Sequence, residues 1–284
     1  MPVVGCGCSV TPVSRSADSR PIGVFDSGVG GLTVLAALEH HLPNESFVYL
    51  GDTARLPYGT KSPDSVERYA LQCAAALRAR EVKALVVACN TASAAALPAL
   101  RRTYPDLPVV GVIEPGAAAV VSATRNRRVV VLATEGTVRA GAYQAAIAAR
   151  EPTMDVTAVG CSVFVALAEE GWGDGEVALC AARRYLGSLF DGLNVPDALL
   201  LGCTHFPLLR NTLAACLPPS VVIVDSAETT ATALAALIGP RIGAGDGARM
   251  TQFLATDGPE RFARVGSLFL GRTLSSAAIE RIDV

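Results

Sequence analysis

Two of the chain's eight cysteines sit where chemistry, rather than packing, would place them. Cys89 follows Leu85-Val86-Val87-Ala88 and precedes Asn90-Thr91-Ala92-Ser93, while Cys203 follows Leu199-Leu200-Leu201-Gly202 and precedes Thr204-His205-Phe206-Pro207. Each closes an apolar run of strand character at the point where the next element starts. Ligands of open α/β sheets bind outside the carboxyl ends of strands. The free N–H groups and positive end of a following helix favour anions there, a thiolate or a carboxylate among them. A free thiol ionises near about 8.5, so a cysteine acting as a base needs such help. Burial at a strand end is the commoner fate of one cysteine; two in matched settings are harder to explain that way.

Other residues cluster around this pair. His205 is one of three histidines; it can serve a proton relay beside Cys203 or be a satisfied loop histidine, whereas His40-His41 end a helix among polar residues and read as surface. In PIGVFDSGVGGLTV a strand runs into Asp26-Ser27 and then a glycine turn. It is not a dinucleotide fingerprint, because the third glycine of a motif starting at Gly28 would fall on Thr33, and no Walker loop is present. The glycines can bring amides close to a small anion and Asp26 can pair with an ammonium; a tight turn with a capping aspartate explains the segment equally well.

The elements that must position these residues alternate. Short β-branched runs at Ile22–Phe25, Phe47–Leu50, Ala84–Ala88, Val109–Val112, Arg128–Leu132, Val156–Val159, Ala198–Leu201 and Val221–Val224 read as strands between Ala/Leu-rich helices. That order predicts an α/β fold with mainly parallel sheets. Ser62 and Pro63 open a helix whose stripe of Val66, Tyr69, Ala70, Cys73, Ala74 and Leu77 puts Cys73 in packing. A second helix, starting near Asp174, is expected to bury Cys180 beside Val177 and Leu179. The two halves also resemble each other: a strand ending at Asp26 is followed by the one ending at Cys89, and a strand ending near Thr134 by the one ending at Cys203. This predicts two pseudo-symmetric domains with the cysteines facing across one cleft. The expected boundaries are residues 1–20 as a ragged polar extension, 21–116 with 226–284 as the first domain, and 117–225 as the second.

Composition narrows the function. The chain has 284 residues, 51% of them apolar and 18% charged, with a formal net charge of -2, which is a globular composition giving no electrostatic case for nucleic acid or an anionic membrane. Mean hydropathy is +0.40, yet the most apolar stretch, Ala84 to Leu100, is interrupted by Asn90, Thr91, Ser93 and Pro98, and no membrane helix is expected. No CxxC pair suggests zinc, and the opening MPVVGCGC lacks the basic and apolar regions of an export signal. The expectation is a reduced, cytoplasmic protein.

The segments GVFDSGVGGLTVL, YLGDTARLPYG, ACNTAS and LLGCTHFPLL resemble, in order and spacing, four hallmark segments of the glutamate racemase family, over roughly residues 21 to 239. By that resemblance Cys89 and Cys203 are the family's acid–base cysteines, and Asp26 and His205 assist the cysteine on their own sides. Asp26-Ser27, Tyr58-Gly59, Asn90-Thr91 and Thr204-His205 are substrate-binding pairs, and Asp52 and Glu169 are supporting acidic residues. It also implies glutamate as substrate, no cofactor or metal, D-glutamate for peptidoglycan as product, a bacterial cytoplasmic location, and compatibility with a homodimer. Within the same superfamily an aspartate, hydantoin or maleate-like substrate is the alternative, and a relative that binds but does not turn over is another. Two departures stand out: Cys161-Ser162 replaces the usual Cys-Pro, and Ala168 replaces a valine before Glu169.

Two thiols on opposite sides of a carbon suit racemisation, which removes an α-proton and returns one to the other face. Lys61 and Lys83 are the only lysines, and neither is well placed for a Schiff base. The carbanion must then be stabilised by donors around its carboxylate and by exclusion of water when the domains close.

Overall fold

The computed structural model describes residues 18–192, 194–238 and 250–284. Most of the 1–20 extension, including Cys6 and Cys8, lies outside the described residues.

Ten strands form two parallel sheets among the described residues. The first contains β1 (Ile22–Asp26), β2 (Phe47–Gly51), β3 (Ala84–Val87), β4 (Val109–Gly111), β9 (Thr251–Ala255) and β10 (Ile279–Arg281), in the order β10-β9-β2-β1-β3-β4. The second contains β5 (Arg128–Ala133), β6 (Asp155–Gly160), β7 (Ala198–Gly202) and β8 (Val222–Asp225), in the order β6-β5-β7-β8. The segment β2-β1-β3-β4 and the whole second sheet thus share one strand order, as the internal likeness predicts. Cys89 follows β3 and Cys203 follows β7, its counterpart. All eight strands expected from sequence are present within a residue or so at each end. β9 and β10 were not anticipated.

Both faces of the first sheet are covered, which is why its strands read as unbroken apolar runs. Val24 and Val86 belong to a core that continues into the second sheet, while Phe25, Leu85 and Val87 face a separate cluster with Cys73 and Leu77. That second cluster lies under α2 (Pro63–Arg78) and α3 (Asn90–Thr103). Ser62 Oγ accepts from Ser65 N at 3.3 Å, capping α2, and Cys73 is buried as its stripe predicts. The continuous core runs beneath α1 (Leu32–His41), α4 (Ile113–Ala123) and α10 (Ser226–Ile238). His40 and His41 are exposed at the end of α1, as expected. Among the described residues no helix is long and apolar enough to cross a membrane.

One packing expectation fails. The helix α8 spans Glu176–Leu186, two residues later than its expected start, and buries Ala178, Ala182 and Leu186. Cys180 is exposed and Val177 is 57% exposed. The small alanines set the buried stripe at four-residue spacing, which turns Val177 and Cys180 outward.

Candidate active site

The carboxyl ends of β1, β3, β5 and β7 converge on one narrow cleft. Of the residues singled out in the sequence, Ser27, Tyr58, Gly59, Cys89, Asn90, Thr91, Glu169, Cys203, Thr204 and His205 line it. Its free volume is about 40 Å³, room for a few water molecules, so the two walls lie nearly closed on each other. A roomier groove of about 660 Å³ near Arg101 and Glu114 has neither cysteine nor histidine among its lining residues and offers no comparable chemistry.

The two thiols are prepared differently. Cys89 is the N-cap residue of α3, its Sγ accepting from Ala92 N at 3.4 Å and lying 3.6 Å from Ser27 Oγ. Burial, and then the charge of Asp26, outweigh these bonds and push the Cys89 thiol up to about 12. Cys203 is followed not by an α-helix but by a short 3-10 turn over Phe206–Leu209. The helix-end support expected on that side is therefore largely replaced by His205, whose Nδ1 lies 3.8 Å from Cys203 Sγ. His205 Nε2 meets Glu169 Oε1 at 3.1 Å, at the end of α7 (Val163–Glu169). Burial alone would lower the imidazole, but the contacts with Cys203 and Glu169 carry it up to about 10. Burial would likewise raise Glu169, but bonds from His205 and Arg261 hold it down at about 2.

A folded-state value above the ordinary 6.5 means that His205 contributes its full stabilisation below pH 6.5 and loses it as the pH climbs towards about 10. A melting temperature falling over that window, with a shallower fall in His205→Asn, is the expected result; parallel curves for the two proteins would refute it.

Asp26 lies just behind the lining. Its Oδ2 accepts from Gly28 N at 2.8 Å, so it does order the turn, but the buried Oδ1 has no hydrogen-bond partner among the described residues. Burial, opposed by His205 and by backbone N–H groups, raises its carboxyl. Asn90 Nδ2 is likewise buried and unpartnered, because Tyr143 Oη donates to Asn90 Oδ1 at 2.6 Å and fixes the amide's orientation.

The matching family model, Asp/Glu/Hydantoin racemase, covers residues 31–234. A glutamate racemase of Geobacter metallireducens is 49% identical over 90% of this chain and 94% of its own length. This chain belongs to the glutamate racemase family. The crystal structure of glutamate racemase from Francisella tularensis with D-glutamate superposes with a TM-score of 0.85 at 36% identity, covering 93% of this chain and 98% of that one. The Thermus thermophilus glutamate racemase, solved with beta-chloro-D-alanine, gives 0.82 at 43% identity, covering 94% and 98%.

Asp52, like Asp26, is absent from the cleft lining, but it lies deeper and serves a different purpose. It is fully buried beneath it, accepting from Tyr58 Oη, from Thr256 Oγ1 at 2.9 Å and from Arg55 Nε at 2.6 Å. It thereby anchors the loop that brings Tyr58 and Gly59 to the lining. Asp52→Ala is expected to lower the unfolding free energy by about 3 kcal/mol, since it strands the partners of a buried charge. Urea unfolding with a midpoint unchanged from wild type would contradict this role.

Sequence reasoning passed over Thr134, Tyr143 and Arg261. Thr134 lines the cleft, and its hydroxyl lies 3.0 Å from that of Thr91 across it. Its place at the end of β5, matching Asp26 at the end of β1, is the signal that could find it. Tyr143 carries no such signal. Of the two lysines, Lys83 lies at the amino end of β3, paired with Glu45 at 2.5 Å. Among the described residues no group of three or more His, Cys, Asp or Glu side chains is arranged to hold a metal.

Proposed function

We propose that this chain interconverts L- and D-glutamate by two-base proton transfer at the α-carbon, with Cys89 and Cys203 as the bases and no cofactor. The observation that carries this reading is the presence of both sulfurs in the lining of one cleft, at equivalent strand ends of two facing sheets. One thiolate takes the α-proton, the pair of electrons passes into the carboxylate as an ene-diolate, and the other thiol returns a proton to the opposite face. The thiol and thiolate states of the two cysteines are exchanged at each turnover.

The surroundings fit these steps. Asp26 Oδ1 is an acceptor for the substrate ammonium, and Asn90 Nδ2, with the hydroxyls of Ser27, Thr91 and Thr204, supplies donors for carboxylate oxygens. An ammonium drawn to Asp26 offsets the negative charge that helps to raise Cys89, so binding itself moves that thiol towards ionisation. His205 Nδ1, 3.8 Å from Cys203 Sγ, is placed to hold a proton at that sulfur. With so little free volume, substrate entry requires the walls to part, and closure behind it excludes the water that would quench the carbanion.

With this activity go D-glutamate supply for peptidoglycan, a cytoplasmic location and a homodimeric assembly. The division into 21–116 with 226–284 and 117–225 is proposed too, supported by the membership of the two sheets. Polarimetric or circular-dichroism assay of L-glutamate and L-aspartate in parallel tests the reading. Loss of optical activity with glutamate at least about a hundredfold faster than with aspartate is expected, since a site built for one chain length leaves its polar groups unpaired with another. Preference for aspartate would move the assignment within the superfamily, and inertness towards both would end it.

A further inference from the structure

The helix α11 (Pro259–Leu270) lies in sequence between β9 and β10, so it belongs with the sheet that carries Cys89. It nevertheless touches the machinery around Cys203 at two points. Arg261 Nη2 donates to Glu169 Oε2 at 2.8 Å, and the Phe269 ring meets that of His205 edge-on, with centroids 5.0 Å apart. Glu169 uses its other oxygen, Oε1, on His205 Nε2 at 3.1 Å, and His205 Nδ1 faces Cys203 Sγ at 3.8 Å. A continuous chain therefore runs from Arg261 to the sulfur, and its first link crosses between the two sheets.

Cys89 has no such dependence among the contacts described: Ala92 N–H and Ser27 Oγ, which meet its sulfur, both come from segments following strands of its own sheet. One thiol is thus set up locally and the other across the cleft. Glu169 is the pivot. Its side chain is only 14% exposed, so an unpaired charge there is costly, whereas Arg261 at 48% can swing into solvent as the walls part.

We propose that Arg261 is a positioning residue that couples closure of the cleft to the readiness of Cys203, by holding Glu169 in place and aimed at His205 only while the closed cleft keeps α11 within reach of Glu169. Opening breaks the first link, releases Glu169 and slackens the imidazole; closing over substrate restores both. The Cys203 side is assembled with the substrate enclosed, and the protonated imidazole is held at the sulfur at the moment of transfer. This inference rests on the proposed role of Cys203 as a base.

The test uses Arg261→Met, which keeps much of the apolar stem and removes the charge, and Arg261→Lys, which keeps the charge. For each, kcat and KM are measured in both directions, together with the primary isotope effects of α-deuterated L- and D-glutamate. At a racemase's equilibrium constant of about one, kcat/KM must fall equally in both directions, so the isotope effects carry the asymmetry. Arg261→Met is expected to lower kcat about tenfold, as loss of one charge-assisted hydrogen bond does, with a smaller change in KM. Raising the barrier at Cys203 alone makes that step limiting. The isotope effect then rises for the enantiomer that Cys203 deprotonates and falls for the other to the small equilibrium effect of moving hydrogen from carbon to the Cys89 sulfur, because the proton that Cys203 delivers in that direction comes from solvent.

Arg261→Lys should recover most of kcat and the wild-type isotope effects. An unchanged kcat in Arg261→Met, or a loss with both isotope effects moving together, overturns the proposal. Should Arg261→Met fail to fold, Arg261→Gln, which removes the charge but stays polar, takes its place: a lowered kcat with isotope effects moving apart supports the proposal, and an unchanged kcat or a loss with symmetric isotope effects refutes it. Wild-type protein that does not racemise glutamate would instead strike at the proposed function, so the two failures are distinguishable.

Discussion

Cys89→Ser and Cys203→Ser are each expected to racemise glutamate at least about a thousandfold more slowly than the wild type. Serine preserves the shape and the burial of both sites, 5% and 6% exposed respectively, but its hydroxyl cannot be ionised to a useful base there. Racemisation needs both partners, so either loss stops it. Half of the chemistry should survive. Elimination of HCl from a β-chloroglutamate requires only removal of the α-proton and departure of chloride, giving an enamine that hydrolyses to the keto acid and ammonium. Each variant is expected to retain this reaction with one enantiomer, and the two variants with opposite ones, as followed by ammonium release. Elimination from both enantiomers by either variant would show that a second base serves the same face.

Gly30→Ala is expected to lower kcat/KM about a hundredfold, although residue 30 bears no functional group. A β-carbon there would lie 2.3 Å from Thr204 Oγ1 and 2.4 Å from both Cε1 and Nδ1 of His205. Those atoms belong to the opposite wall, so the added methyl group would force the walls apart or turn the imidazole from Cys203. The helix that follows, α1, retains its own contacts, and the melting temperature should change far less than the activity. Steady-state kinetics with a thermal melt on the same sample checks both. Wild-type kcat/KM would mean that the wall carrying His205 is free to retreat at no cost.

That glycine illustrates what was legible and what was not. The run GVGG after Asp26 announced a tight turn and close approach, but not what approaches. At Gly30 it is the side chains of the other half of the molecule, a long-range fact with no local signature. By contrast, Ala84–Ala88 and Ala198–Leu201 each signal a buried strand by unbroken apolar sequence, because both faces are covered, and the polar residues after each cysteine signal the strand end. The likeness of the two halves could therefore bring Cys89 and Cys203 to one cleft before any coordinates.

The turn after Cys203 broke the likeness. Phe206-Pro207-Leu208-Leu209 makes a 3-10 turn where Asn90-Thr91-Ala92-Ser93 starts a full helix, and the role left open by the missing dipole falls to His205. Cys180 was misplaced because Val177 and Leu179 outweigh alanine in any hydropathy pattern, whereas close packing selected the smaller Ala178 and Ala182. The strand β10 has only three residues and lies at the sheet's edge with Glu280 and Arg281 exposed, while β9 beside it opens on Thr251 and Gln252, so the two carry little apolar signal. Arg261 was invisible for another reason. One arginine on an amphipathic helix is ordinarily a solvated charge, and only the fold brings it to Glu169.

Racemising L-glutamate in D2O and analysing both enantiomers by mass at low conversion tests the central claim most directly. With a monoprotic sulfur on each face, the D-glutamate formed should carry deuterium at the α-carbon from the first turnovers while the remaining L-glutamate keeps its protium. D-Glutamate that retains the substrate's own proton, or label appearing equally in both pools from the start, would mean that one group serves both faces and would contradict the assignment of Cys89 and Cys203.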